Sequence, residues 1–196
     1  MSEIILASAS PRRSELLRNM GLDFSVVVSD ADEASVDRDV PPEIYVQELA
    51  LLKAASTAKK ITDREDAIVI SADTVVVNNG AILGKPDSEA EAERMLSELS
   101  SRTHQVFTGI CVLRIRDAYT VCKAVRTDVT FKELSKEKIR RYIDSGEPMD
   151  KAGAYGIQGL GAMLAERING DYFNVVGLPV SALSDILEQD FEFKLI

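Results

Sequence analysis

The sequence predicts a mixed α/β sheet flanked by helices, with two lobes around a cleft, and three observations carry that expectation. At the N-terminus, segments of strand and helix character alternate in the order β, α, β. Ala67 to Ala72 is a short continuous apolar run, suited to a strand covered on both faces. Beyond Val106 antiparallel pairs dominate, so parallel and antiparallel strands should share one sheet. The 196 residues fit a single domain, 1–196, large enough to bury roughly 70% of its unfolded surface in a real core.

Residues 3–7 read as the first strand, and residues 11–20 as a helix with Ser10 as N-cap, Pro11 at the first helical position and Gly21 at its end. Residues 23–28 form the second strand. An acidic loop with Asp30, Asp32, Glu33 and Asp37 runs to Pro41-Pro42, and a helix follows from Glu43 to about Lys59. The strand over Ala67–Ala72 should end at Asp73. Asn79-Gly80 then marks a tight hairpin between Val75–Val77 and Ala81–Leu83. Asp87–Leu99 is a helix whose first turns carry Glu89, Glu91 and Glu93, favourable for its dipole. Val106–Leu113 and Tyr119–Phe131 are rich in Val, Thr and Ile and read as central antiparallel strands. Ser135–Ser145 is helical, 146–161 is a glycine-rich loop, and Val180–Leu187 is a closing helix after Pro179.

With 45% hydrophobic and 28% charged residues and no internal repeat, the composition is that of an ordinary globular protein. No basic n-region opens the chain and no apolar run approaches a membrane span, which predicts a cytoplasmic protein without signal peptide or membrane contact. Cys111 and Cys122 are expected to be free thiols, facing each other if residues 105–131 form a hairpin turning at Arg116-Asp117. The only histidine, His104, is expected to be structural rather than a metal ligand. A net charge of −9 repels nucleic-acid polymers and anionic membranes. It repels polyphosphates too, so a phosphorylated ligand would need a few focused cations and a divalent metal.

Such a focus exists in Ser8-Ala9-Ser10-Pro11-Arg12-Arg13. Free amides at a helix N-terminus, two hydroxyls and two guanidiniums together supply the donors that phosphate oxygens accept. A plain capped helix with solvated arginines is the competing reading. Asp73, at the expected exit of a hydrophobic strand, is the best candidate to activate water or hold a metal, against a role in capping the following turn. Glu33 could bridge a metal or simply belong to a solvated loop. Lys53 shares a helical face with Val46, Leu49, Ala50 and Thr57, so it either snorkels outward or reaches a buried anion. Lys85, in the turn Gly84-Lys85-Pro86, offers another cation. Gln158, inside the glycine tract, could donate to and accept from a base edge, or merely tie the loop together.

The glycine tract lacks the spacing of a dinucleotide fingerprint, and no GxxxxGK[ST] loop or GxSxG elbow occurs. Taken together, LASASPRR, SADTVV, GKP, THQVFTG, EPMDKAGAYGIQGLGA and GDYFNVVGLP resemble the Maf-like nucleotide pyrophosphatases, the septum-formation-inhibitor family, over nearly the whole chain. DKAGAYGIQG and NVVGLP look like the branch acting on dTTP and UTP rather than that acting on 7-methyl-GTP. Ala9 and Gly84 stand where such proteins often carry Gly and Glu.

The resemblance implies a fold similar to inosine triphosphate pyrophosphatase, a cytoplasmic house-cleaning enzyme using Mg²⁺ or Mn²⁺, and frequently a homodimer. By motif match Asp73 would be the proton acceptor, and Arg12, Thr74 and Gln158 would govern substrate choice. Ser8, Arg13, Glu33, Lys53 and Lys85 would line the phosphate and metal cleft, with Glu33 and Asp73 toward the metal. The expected reaction converts dTTP or UTP, with modified pyrimidine nucleotides as further candidates, to the monophosphate and pyrophosphate. The alternative is a nucleotide-binding regulator of cell division that uses the same residues without turnover.

Overall fold

A computed structural model describes residues 2–195. Its sheet has seven strands, ordered β2-β1-β3-β5-β6-β7 with β4 pairing β3 off that path. The strands are β1 (Ile4–Leu6), β2 (Phe24–Val26), β3 (Ile68–Asn78), β4 (Ala81–Leu83), β5 (Thr103–Arg114), β6 (Thr120–Phe131) and β7 (Ala165–Asn169). The helices are α1 (Pro11–Asn19), α2 (Pro42–Lys60), α3 (Glu89–Leu99), α4 (Lys136–Asp144), α5 (Tyr172–Val176) and α6 (Val180–Asp190). The expected mixture of parallel and antiparallel pairing is present: β1 is parallel to β2 and β3, while β3–β4 and β6–β7 are antiparallel.

The chain separates into two compact units. The first holds the chain up to Asp73, Thr108–Val125 and everything from Gly177 onward; the second holds Thr74–Phe107 and Arg126–Val176.

In the first unit, Ile5, Ala7, Ala50, Ala54, Val69 and Cys111 form a buried apolar cluster in which α2 covers the sheet. The helix lies unusually close. A Cβ on Gly109 would overlap the carbonyl of Val46, so only glycine lets this strand and this helix meet backbone to backbone. The Ser71 hydroxyl donates to the Ala50 carbonyl at 2.6 Å, and Thr57 donates to Val27 at 3.2 Å, pinning α2 along its length. Burial of Val46, Leu49, Ala50 and Thr57 confirms the apolar face read from the sequence.

Two details of the first unit differ from expectation. Ser10 occupies the N-cap position of α1 with extended backbone, but its side chain makes no capping bond. The buried Ser8 hydroxyl instead accepts from the Ser10 amide at 3.2 Å. The second correction concerns Asp73, which does not end a strand: β3 continues through it to Asn78. A carboxylate in mid-strand is tolerable because it has a side-chain partner, described below, and the backbone keeps pairing. What stops β3 is the predicted hairpin at Asn79-Gly80, with φ of 51° and 81° and Asn78 opposite Ala81.

The connection from β5 to β6 is too short for a crossover, so these strands are antiparallel. The Arg114 amide donates to the Tyr119 carbonyl at 2.9 Å, and counting back from that bond sets Cys111 opposite Cys122. Both are free thiols, as expected. Their mutual hydrogen bond pushes the Cys111 thiol up, with burial adding to it.

In the second unit, His104 is fully buried, with Nε2 2.7 Å from the Tyr155 hydroxyl and its ring edge-on to Phe131 and Tyr155. Burial pushes its pKa down to about 4, so it is a neutral core residue, as expected. α3 begins at Ser88, whose hydroxyl accepts from the Glu91 amide while the Glu91 carboxylate accepts from the Asp87 amide. Two elements, β7 and α5, are absent from the sequence-based expectation. β7 is a largely exposed edge strand carrying Glu166 and Arg167, without the alternation that would announce it. The short α5 is anchored by buried Asn174, which donates to the Val106 carbonyl at 3.1 Å.

Candidate active site

The N-terminal candidates are assembled inside the first unit. β1 delivers Ser8 to the turn before α1, and Arg13, two residues into that helix, folds back on it. Arg13 Nη1 donates to the Ser8 hydroxyl at 3.2 Å, and its Nε donates to the Gly177 carbonyl at 2.8 Å. Burial lowers the Arg13 pKa, while the charges of Asp73 and Glu33 act to raise it, so Arg13 stands in the field of both carboxylates. Arg12 is half-buried, and its like charge adds to the lowering at Arg13. The solvated-arginine reading therefore fails for Arg13, which is fixed in place.

Lys53 settles a second alternative. Its ammonium does not snorkel into solvent but lies 2.6 Å from Asp73 Oδ1 and 3.0 Å from Glu33 Oε1. Lys53 and Asp73 side chains are each only 13% exposed, so this pair is far less screened than a surface ion pair. The anion Lys53 reaches in this structure is thus a carboxylate. Its position follows from Gly109 and Ser71, which seat α2 against the sheet and so aim Lys53 at β3. Asp73 cannot be a turn cap, because it sits within a strand. Glu33 lies in a 3₁₀ turn capped by Asp32, whose carboxylate accepts from the Ala34 amide at 3.1 Å.

The remaining candidates belong to the second unit. Thr74 follows Asp73 in β3 and so points to the opposite face of the strand. Lys85 is exposed in the turn after β4, and the Gly84 carbonyl accepts from the Gly153 amide at 3.0 Å, joining that turn to the glycine tract. Gln158 is half-buried, and its side chain makes no hydrogen bond to another described residue. It is not the tie that holds the loop. That role falls to Tyr142 and Glu147, which no pattern in the sequence singles out. Ser8, Arg13, Glu33, Lys53 and Asp73 are thus gathered in one unit, and Thr74, Lys85 and Gln158 in the other.

Among the described residues, no cluster of three or more His, Cys, Asp or Glu side chains could enclose a metal ion. Two carboxylates do converge, Glu33 and Asp73, both on the Lys53 ammonium. Two oxygen ligands fit a hard divalent cation that takes the rest of its shell from water and phosphate oxygens, and do not fit a dedicated protein cage.

Fold and site together define a mixed α/β protein in which fixed cations and paired carboxylates share one surface, an arrangement suited to polyphosphates. The chain belongs to the family described as Maf-like protein, whose model matches residues 3–190. A protein of Thermoanaerobacter sp. (strain X514) named dTTP/UTP pyrophosphatase is 51% identical over 194 residues, covering 99% of this chain and 100% of its own. One from Alkaliphilus metalliredigens (strain QYMF), with the same name, is 50% identical over 196 residues and the full length of both. Among solved structures, the Staphylococcus aureus Ham1 protein matches with a TM-score of 0.49 and 19% identity, over 81% of this chain and 77% of its own.

Proposed function

We propose that this protein is a nucleoside triphosphate pyrophosphatase that hydrolyses dTTP and UTP to the nucleoside monophosphate and pyrophosphate. The observation that carries the reading is the Lys53 ammonium held between Asp73 and Glu33 beside a fixed Arg13, in a chain about 50% identical end to end to proteins named for that activity. Water attacks the α-phosphorus, and Asp73 accepts its proton. Lys53 exchanges a carboxylate for a phosphate oxygen as substrate enters, which frees Asp73 for the water. Arg12, Arg13 and Lys85 offset phosphate charge, and the Ser8 hydroxyl keeps the Arg13 guanidinium aimed. No side chain need form a covalent bond, since positioning and electrostatics supply the acceleration.

Glu33 and Asp73 would hold a divalent cation, Mg²⁺ or Mn²⁺, which would supply positive charge against the departing pyrophosphate. Gln158 and Thr74 select the base. A pyrimidine with adjacent carbonyl and N–H suits a side-chain amide, which donates and accepts at once. No helix among the described residues is long and apolar enough to cross a membrane, and the free thiols suit a cytoplasmic enzyme.

Incubation with dTTP and Mg²⁺ or Mn²⁺ is expected to yield dTMP and pyrophosphate, and chelation of the metal to stop the reaction. Primary release of dTDP and orthophosphate would refute the pyrophosphatase reading. Binding without turnover of any nucleotide would replace it with the regulator.

A further inference from the structure

The glycine tract of the second unit is organised around a single acidic side chain. Glu147 Oε1 accepts from the Tyr142 hydroxyl at 2.8 Å and from the Gly161 amide at 3.0 Å, and Oε2 accepts from the Leu160 amide at 3.0 Å. The Tyr142 hydroxyl in turn accepts from the Gly156 amide at 3.1 Å. Both ends of the segment 156–161 are therefore fastened to one Glu147–Tyr142 pair. The packing leaves no slack, because a Cβ on Gly161 would overlap the Gly156 carbonyl and a Cβ on Gly159 would crowd Glu147 Oε2. Lys151 reaches the backbone carbonyl of Glu147 at 2.7 Å and the Asp150 carboxylate at 2.6 Å, so it steadies the turn without pairing with the Glu147 carboxylate. Burial acts to raise the Glu147 pKa, but the bonds from Gly161, Leu160 and Tyr142, helped by the nearby Lys151 charge, outweigh it and leave the group below the usual glutamate range. Glu147 is thus an anion satisfied chiefly by backbone amides.

Gln158 lies at the centre of the segment so fastened, and its own side chain spends nothing on holding the loop. We propose that Glu147, with Tyr142, is the positioning residue for base selection: it fixes the 156–161 backbone so that the Gln158 amide is presented in one orientation to the pyrimidine edge. The proposal rests on the reading of this protein as a dTTP and UTP pyrophosphatase with Gln158 at the base. Selectivity through an amide depends on its direction, because donor and acceptor must not trade places. A loop free to rotate by one peptide would keep the amide and lose the choice.

The test is a double-mutant cycle on selectivity, using Glu147→Gln, Gln158→Ala and the combination, with dTTP, UTP and CTP as substrates. Glu147→Gln keeps size but turns one acceptor into a donor facing the Leu160 and Gly161 amides. The proposal expects the dTTP-to-CTP ratio of kcat/KM to fall about tenfold in Glu147→Gln, through KM rather than kcat. Amide exchange at Leu160 and Gly161 should quicken in parallel, and the double variant should be no less selective than Gln158→Ala alone. Tyr142→Phe, which removes one of the three donors to Glu147, should move selectivity the same way by less, and serves if Glu147→Gln does not fold. Unchanged selectivity in Glu147→Gln and Tyr142→Phe, or additive losses in the double variant, would overturn the proposal while leaving the pyrophosphatase reading intact. An unchanged ratio in Gln158→Ala would overturn it together with the base role of Gln158. Failure of the functional reading itself is separate and visible in the wild type, as absence of dTMP and pyrophosphate.

Discussion

Lys53 in the first unit and Glu147 in the second each gather several polar groups, with opposite charge and with partners of different kinds. The Lys53 ammonium is shared by two side-chain carboxylates, Asp73 and Glu33. The Glu147 carboxylate is held by two backbone amides and a hydroxyl. Side-chain ion pairs can re-sort when an anionic substrate arrives, since an ammonium accepts a phosphate in place of a carboxylate at little geometric cost. Backbone amides cannot move without moving the chain. Under the proposed function, the first unit would thus keep its charge available for chemistry, and the second would keep its loop in one shape, as discrimination between similar bases requires.

The largest effect that could break this contrast is at Asp73. Asp73→Asn removes the charge and keeps the shape, and Lys53 retains Glu33 as partner, so the protein stays folded while turnover falls by about 10² to 10⁴. Steady-state kinetics with dTTP, beside a melting curve, check this. Near-normal activity in a folded variant would reduce the Lys53 cluster to a structural ion-pair network.

A smaller effect sharpens the account of the second unit as the rigid one. His104 is neutral when folded, its pKa held near 4 by burial, and it protonates near 6.5 once unfolded. The unfolded chain therefore binds the extra proton between those values. Stability from this residue is fully present above pH 6.5 and is lost as pH falls toward 4, by about 3 kcal/mol in all. Urea unfolding at pH 7 and pH 4.5 should show a steeper loss in wild type than in His104→Gln. Parallel losses would mean that His104 titrates normally in the fold.

Smaller again is the difference between the two arginines. Each substitution by alanine should weaken triphosphate use by about 1.5 to 3 kcal/mol, the range for a charged hydrogen bond. Arg13→Ala also removes the side-chain donor to the Gly177 carbonyl and leaves the Ser8 hydroxyl with the Ser10 amide alone, so it alone should lower the melting temperature. Equal melting temperatures for the two variants would contradict the anchored role of Arg13.

The charged cluster of the first unit is more legible in the sequence than the loop of the second, and for a physical reason. An apolar helical stripe containing Lys53 breaks a pattern, so the residue stands out from its neighbours in the chain alone. The N-terminal SPRR reads directly as donors at a helix end, although Ser8 rather than Ser10 makes the turn's hydroxyl bond. The sequence points to Asp73 for an incorrect local reason. It suggests a strand exit, whereas β3 runs through the residue, because a partner contributed by α2 cannot be seen in a local window. Glu147 gives no signal at all: a glutamate before proline in a glycine-rich stretch looks solvated, and only the folded loop shows two amides aimed at it. In the fold, β7 and α5 escape a sequence reading because tertiary pairing with β6 and the anchor at Asn174 define them, rather than periodicity.

If the Asp73 and Lys53 cluster directs water to the α-phosphorus, hydrolysis of dTTP in ¹⁸O-labelled water marks a single product. Attack at that atom predicts one ¹⁸O in the dTMP released and none in the pyrophosphate, as read by mass spectrometry. Label in the pyrophosphate, with unlabelled dTMP, would place the attack on the β-phosphorus and contradict the account.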